Sequence, residues 1–533
     1  MAKDNWNYFD AWCMVGRHVR LTEGAPHTAD DLLAEMNQYG IAESLVLDCL
    51  SRESHPLDGN CRVLQVTQGR PRLHPAWAAL PPGTDEQPAP QKLLSEMRRH
   101  RVGALMLFPD QYRFTLSPWC VDELLEPLAA AGVPVFIRPG ELGPAAYEPQ
   151  DGTDWDAVVA LCRRMPALPV IVSEMRIRRS QRLAYRALDA CENLRIELSG
   201  YWLHHGIEYV TERWGSRRLV FGSNWPKFGP HMTLATLAMA DIAPEDKRSI
   251  AGDNLRELIA WCKPKHPQVT PKPPADEFVA FGRTGRRPKK MTFGDCHGHL
   301  GGRGAHYHVP DGDLDTVVRE MDRLGVERTC VFSFVGVTSD EVFGNDIVID
   351  AVRRYPDRFV GFTLLNPHRG REAMLRELER CAQRGLCGIK LIPHYQGYPE
   401  EGPLLEVACQ WAHERRQIIL NHSWASAAHL GQLIERYPGA CYFTGHATTA
   451  YAELMKRRAN LYVCSCPLLG PRACEEMVAT IGADRLLFGS DLLDLPMAWG
   501  LGPILLARIP VAEKRMILGG TLRRILESYS VHP

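Results

Sequence analysis

The sequence predicts an α/β protein built as two tandem (β/α)8 barrels of the TIM type. Three observations carry this. Short β-rich runs alternate with longer amphipathic stretches up to about residue 259, and eight such runs can be counted. A stretch rich in proline and basic residues then breaks the pattern. After it the alternation restarts and again gives eight runs. Repeated strand–helix alternation implies parallel strands, and eight units close a barrel.

Size and composition agree. A chain of 533 residues is too long for one ordinary core. Hydrophobic residues at 45% and charged residues at 23% describe a soluble globular protein. Lys+Arg 62 against Asp+Glu 63 leaves a formal net charge of -1, so no global bias points to nucleic acid or an anionic membrane. No stretch approaches the roughly 18 uninterrupted apolar residues of a membrane span. The start, Met1 to Trp6, has no signal-peptide apolar region. The 16 cysteines are scattered without the spacing of a secreted framework. They read as reduced thiols, and a cytoplasmic location is expected.

The first domain is assigned to residues 1–262. Its candidate strands are 8–15, 44–49, 73–80, 102–108, 134–137, 169–173, 194–198 and 219–222. Between the first two, Thr28 suits a helix N-cap, and Leu32, Leu33 and Met36 form a helical stripe. Gly40 suits the C-terminal stop. Residues 263–290 read as an extended linker, rich in Pro, Lys and Arg. Its basic run lacks aromatic interleaving, so a nucleic-acid patch is not the expected reading.

The second domain is assigned to residues 291–533. Its candidate strands are 293–299, 329–334, 360–365, 388–392, 417–422, 441–446, 461–466 and 486–491. The helix after the first carries Leu314, Val317, Val318, Met321 and Leu324, and Gly325 ends it. Two further pairs make the halves a repeat. Arg-Leu-Val-Phe-Gly-Ser-Asn (218–224) echoes Arg-Leu-Leu-Phe-Gly-Ser-Asp (485–491). Ser-Ile-Ala-Gly-Asp-Asn-Leu-Arg (249–256) echoes Met-Ile-Leu-Gly-Gly-Thr-Leu-Arg (516–523). A period this long is a duplication of a whole domain.

The chemistry gathers in the second half. Thr-Phe-Gly-Asp-Cys-His-Gly-His-Leu-Gly-Gly (292–302) reads as a strand stopped by paired glycines. Alternate side chains share a face, so Asp295, His297 and His299 are expected to point one way. Two such imidazoles can grip one divalent ion, or they can be satisfied structural histidines. Barrel active sites lie at the C-terminal strand ends. Strands five and six end in His422 and His446, strand eight ends in Asp491, and strand four carries Lys390. Four histidines and a carboxylate on those rims favour the metal reading.

These residues carry a resemblance. The matching pieces are Asp-Cys-His-Gly-His (295–299), Gly-Ile-Lys-Leu-Ile-Pro (388–393), Asn421-His422, Gly445-His446, Gly-Ser-Asp (489–491) and Gly-Gly-Thr-Leu-Arg (519–523). Residues 291–528 resemble the amidohydrolase superfamily, in the amidohydrolase-related branch. That branch holds metal-dependent hydrolases and decarboxylases like aminocarboxymuconate semialdehyde decarboxylase. The resemblance implies a distorted (β/α)8 barrel. It also implies that His297, His299, His422 and Asp491 ligate one divalent ion, and that His446 is a catalytic acid or base beside it. Imidazoles with a carboxylate suit Zn²⁺, with Mn²⁺ or Fe²⁺ also possible. Such an ion lowers the pKa of a bound water towards ~7. Asp491 would take the proton, and His446 would stabilise charge or shuttle a proton.

Asp295 reads either as an anchor for the ligands or as a strand-end carboxylate. Lys390 reads as a substrate-carboxylate binder, with a bridging carboxylated lysine or a structural lysine as alternatives. His394, Tyr395 and Gln396 follow strand four and are candidates for substrate contact. Trp424 would pack on a planar substrate or on the barrel rim. Cys464 and Cys466 read as a small-residue core layer, and His306 and His308 as solvated loop histidines.

The first half departs from this pattern at every ligand. Trp12 and Met14 replace the strand-one histidines. Met106 replaces Lys390, and strand five ends in Arg138. Met175 replaces His446, and Asn224 replaces Asp491. These side chains make no hard-metal site, so the first barrel reads as a non-catalytic copy. The resulting expectation is a hydrolase that opens a small amide, lactam, lactone or ester with metal-activated water. The alternatives are a non-oxidative decarboxylase of a small carboxylic acid and an inert binding or scaffold protein. No nucleic-acid or membrane partner is expected. The two barrels are expected to form an intramolecular pseudo-dimer, with further homo-oligomerisation possible.

Overall fold

Parallel β pairing sets the architecture. The computed structural model describes residues 6–18, 21–139, 152–301, 303 and 307–529. Two eight-stranded sheets run in sequence order. The first holds β1 (Phe9–Val15), β2 (Glu43–Asp48), β3 (Leu73–Ala78), β4 (Ala104–Leu107), β5 (Val135–Ile137), β6 (Val170–Val172), β7 (Leu194–Glu197) and β8 (Leu219–Val220). The second holds β9 (Phe293–Leu300), β10 (Val326–Ser333), β11 (Phe359–Leu364), β12 (Gly388–Leu391), β13 (Ile418–Asn421), β14 (Cys441–Thr444), β15 (Leu461–Cys464) and β16 (Leu486–Leu487). Each closes on its first strand. Ala11 N donates to Phe221 O at 2.9 Å, and Cys296 N donates to Phe488 O at 2.8 Å. The chain is therefore two (β/α)8 barrels in tandem, as the sequence predicts. Strands β13, β14 and β16 end earlier than the sequence suggests, so His422, His446 and Asp491 stand past the ladder.

The chain divides into two units, residues 1–202 with 206–275, and residues 203–205 with 276–533. In the first unit Thr28 accepts from Asp31 N, and Gly40 closes the Ala29–Tyr39 helix at φ 73°. In the second, Asp313 and Gly325 (φ 82°) bound Leu314–Leu324 in the same way. A π-helical turn recurs too, at Ser249–Asp253 and at Met516–Gly520. The first barrel is filled by Phe9, Trp12, Met106, Phe136 and Ile171. Among the described residues, no helix is long and apolar enough to cross a membrane.

One expectation is corrected. The stretch that reads as extended linker contains the helix Glu277–Thr284, capped by Asp276. Phe278 and Phe281 bury its inner face, and Phe281 stacks on Phe293 of β9 with ring centroids 6.3 Å apart. The fully buried Lys514 donates to Asp276 Oδ2 at 2.9 Å and to Leu505 O at 3.0 Å. The prolines and basic residues on either side masked this short apolar stripe. Phe281→Ala should lower stability by ~3–5 kcal/mol. Urea unfolding followed by Trp fluorescence measures the loss.

Candidate metal centre

The site begins with a bulge in β9. The β9–β10 register slips between Asp295 and Gly298, so the strict alternation read from the sequence does not hold. Cys296 and His297 both come up against Gly489. A Cβ on Gly489 would lie 2.3 Å from Cys464 Sγ and 3.1 Å from His297 Cβ, so only glycine fits there. Asp295 is turned away from the ligands. Its carboxylate accepts from His297 N at 3.0 Å, Ser490 N at 2.9 Å and Ser490 Oγ at 2.6 Å. Asp295 is thus a strut between strand one and the end of strand eight.

His297, His299 and Asp491 converge, with one ligand atom from each lying within 4.8 Å of the others. Asp491 Oδ1 is 3.4 Å from His297 Nε2 and 3.5 Å from His299 Nδ1. His422 stands to one side, its Nδ1 3.1 Å from His446 Nε2. The tautomers follow from the partners. His297 Nδ1 meets Gly445 O at 2.9 Å, His299 Nδ1 meets Leu492 O at 3.3 Å, and His446 Nδ1 meets Cys466 O at 3.1 Å. A carbonyl can only accept, so each of these Nδ1 atoms carries the proton. His446 Nε2 then accepts from His422 Nδ1. The Nε2 lone pairs of His297, His299 and His422 are left for a cation. Ring N–H groups committed to carbonyls or other acceptors are the usual support of metal-binding histidines. The donor set therefore fits a divalent ion, and His446 is the hydrogen-bond partner of the His422 ring.

Electrostatics agree. Burial, and then the charge of Lys390, hold His297 well below the ordinary imidazole range. Burial also lowers His299 and His446, and burial with His446 and Lys390 brings His422 to about 2. All four rings are neutral at pH 7, the form that binds metal. Lys390 is fully buried, and its Nζ has no hydrogen-bond partner. It sits 4.2 Å over the ring of Phe332. Burial lowers its ammonium to about 8 while the Asp491 charge opposes that shift.

The remaining candidates sort by position. His394 and Tyr395 are exposed at the mouth, with ring centroids 6.1 and 5.3 Å from His422. Gln396 Nε2 donates to Gly336 O at 3.2 Å, so it braces the short helix Phe334–Thr338. Trp424 is corrected from substrate contact to packing. It is fully buried, donates Nε1 to Phe443 O at 2.9 Å and packs on Tyr442. Cys464 Sγ lies 3.7 Å from His297 Nδ1, beneath the ligands. His308 is exposed, and His306 lies outside the described residues. The sequence reading missed Phe334, whose ring stacks on His299 at 4.4 Å, and the pair Tyr307 Oη–Asp494. Phe334 directly follows β10, so the rim rule used for the histidines would have found it.

The family model described as Amidohydrolase matches residues 52–260 and 295–527. The chain belongs to the amidohydrolase family. Both barrels carry the match, including the one without the ligands. Solved structures similar to this chain include 2,6-dihydroxybenzoate decarboxylase from Rhizobium, at 15% identity, covering 44% of this chain and 99% of that one, TM-score 0.35. Another is 5-carboxyvanillate decarboxylase from Sphingomonas paucimobilis, at 16%, 45% and 99%, TM-score 0.34. A third is 4-oxalomesaconate hydratase from Rhodopseudomonas palustris, at 15%, 44% and 96%, TM-score 0.35. No curated protein sequence matches the chain.

Two predictions follow from this geometry. His297→Ala and His422→Ala should each remove the metal of this amidohydrolase barrel. His446→Ala should keep it with ~10–100-fold weaker affinity, as for loss of an orienting partner. Metal analysis after dialysis against graded chelator separates the two cases. In the metal-free protein, stability should fall as pH drops below ~6.5. There the unfolded chain takes up protons that the buried imidazoles refuse, so the unfolded state gains. Urea midpoints at neutral and mildly acidic pH measure this. Equal midpoints would contradict the buried neutral rings.

Proposed function

We propose that the second barrel is a metal-dependent hydrolase of a small amide, lactam, lactone or ester carrying an anionic group. The observation that carries this reading is the convergence of His297 and His299 on the Asp491 carboxylate, at 3.4 and 3.5 Å. His297, His299, His422 and Asp491 would hold the ion. Zn²⁺ suits these donors best, and Mn²⁺ or Fe²⁺ also match. When bound, the ion supplies Lewis acidity and a water acidified to near-neutral pKa. Asp491 accepts the proton of the attacking water. His446 holds His422 in one tautomer and orientation. Lys390, buried and with no hydrogen-bond partner for its Nζ, would attract the substrate's anionic group. Tyr395 and His394 line the approach.

Lys390 also favours a second reading. A buried ammonium beside the ligands suits a substrate carboxylate, and a decarboxylase would place the leaving carboxylate there.

We further propose that the first barrel is not catalytic. Its rim satisfies itself. Trp12 Nε1 donates to Asn224 Oδ1 at 2.8 Å, and Arg138 lies 4.7 Å over the Trp12 ring. Arg138 donates to Ser173 Oγ at 2.9 Å, which donates to Glu197 at 2.6 Å.

Asp491→Asn tests the role of the carboxylate. Asp491 sits at φ 57°, and Asn224 occupies the matching position at φ 61°, so the backbone accepts the amide. The variant should fold normally and lose ~10²–10⁴-fold in turnover, the range for a general base. Unchanged turnover would remove Asp491 from the mechanism. A screen of small carboxylated amides and esters that follows proton and carbon dioxide release separates hydrolysis from decarboxylation. Lys390→Met should raise KM in either case.

A further inference from the structure

A second cluster with metal chemistry lies at the opposite end of the first barrel, at the N-terminal ends of its strands. Glu43 opens β2 and His74 lies near the start of β3. His266 comes from the Pro-Lys-His-Pro segment that follows the barrel. One ligand atom from each lies within 4.8 Å of the others. His74 Nε2 is 2.8 Å and His266 Nδ1 is 2.7 Å from the same oxygen, Glu43 Oε2. The other oxygen, Oε1, accepts from Arg256 Nε at 2.9 Å. Arg256 thus fixes the carboxylate and turns Oε2 to the histidines, as outer partners orient metal ligands. Glu43 is 1% exposed and His74 5%, while His266 is open to solvent. Burial pushes the Glu43 carboxyl up, but hydrogen bonds from His74 and His266 and the Arg256 charge outweigh it and leave it at about 2. The carboxylate is therefore anionic at any physiological pH.

We propose that Glu43, His74 and His266 form a binding site for a borderline divalent ion such as Zn²⁺, independent of the site in the second barrel. Two imidazoles and one carboxylate are a known zinc donor set. Zinc bonds of ~2.0–2.2 Å in a tetrahedron place ligand atoms ~3.3–3.5 Å apart. Each ring nitrogen need only retreat by roughly half an ångström from Oε2. His266 has that freedom, because its side chain stands at the surface. A cavity of about 730 Å³ bounded by His74, His100, Pro264 and Lys265 gives water access to the cluster. The fourth position would be taken by water. Without the ion, both imidazoles donate to Oε2. On binding, each ring proton shifts to the other ring nitrogen and frees the lone pair for the ion; protons compete with the ion for that lone pair, so uptake is weaker at acidic pH. The ion would tie the segment after the barrel to its first strands.

The test uses the full chain with His297→Ala and His299→Ala, which removes the ligands of the other barrel. After chelation, Zn²⁺ is titrated by calorimetry, and Co²⁺ is followed by its visible absorption. We expect one Zn²⁺ per chain and the intense bands of tetrahedral Co²⁺, both lost on adding His266→Ala or His74→Ala. In the unaltered chain, His266→Ala should lower zinc content by one equivalent. Because His266 is a surface residue, this variant should fold. No uptake by the double variant would overturn the proposal, leaving the three residues a proton-linked pin. Uptake that survives either added substitution would overturn it as well.

Discussion

The barrel closure between strand one and the end of strand eight is the interaction on which both halves depend. In each barrel a fully buried aspartate on strand one binds the backbone two residues on and a serine past strand eight. Asp10 holds Trp12 N at 3.1 Å and Ser223 N at 2.9 Å. Asp295 holds His297 N and Ser490 in the same way. The same register slip recurs beside it in β1. Burial pushes Asp10 up to about 6 and Asp295 up to about 7, although their hydrogen bonds pull the other way. Desolvation outweighs those bonds, and the carboxylates persist because they satisfy backbone groups that would otherwise be orphaned.

This separates scaffold from chemistry in one motif. The first barrel keeps the aspartate, the serine, the bulge and the left-handed residue after strand eight. It lacks the ligand side chains at the mouth. Trp12 and Asn224 hydrogen-bond each other where His297 and Asp491 face a shared point. A barrel can therefore lose its ligands without losing its closure, because different atoms perform the two tasks.

In the second barrel the electrostatics are one-sided. Neutral imidazoles, a buried ammonium and one carboxylate share the site. An unpaired buried charge is costly, so Lys390 needs an anionic partner to rest fully charged. Asp491 offers only part of that.

The sequence by itself determined the two barrels, their strand count and the rim residues, because strand–helix alternation and strand-end position are local properties written in periodicity. It also showed that the first rim is empty of ligands. Tertiary structure decided the rest. The bulge in β9 depends on pairing with β10 and with the segment after β16, so alternation alone could not decide between Asp295 as an anchor and as a strand-end carboxylate. Trp424 lies two residues past His422 in sequence but turns into the packing behind the strand, where its indole N–H meets Phe443. The Glu277–Thr284 helix exists because β9 and Lys514 supply a surface and a charge for it, which its proline-rich surroundings hide. The Glu43–His74–His266 cluster has no sequence signature at all. Its members are brought together from two strands and a distant tail, and only the closed barrel makes them neighbours.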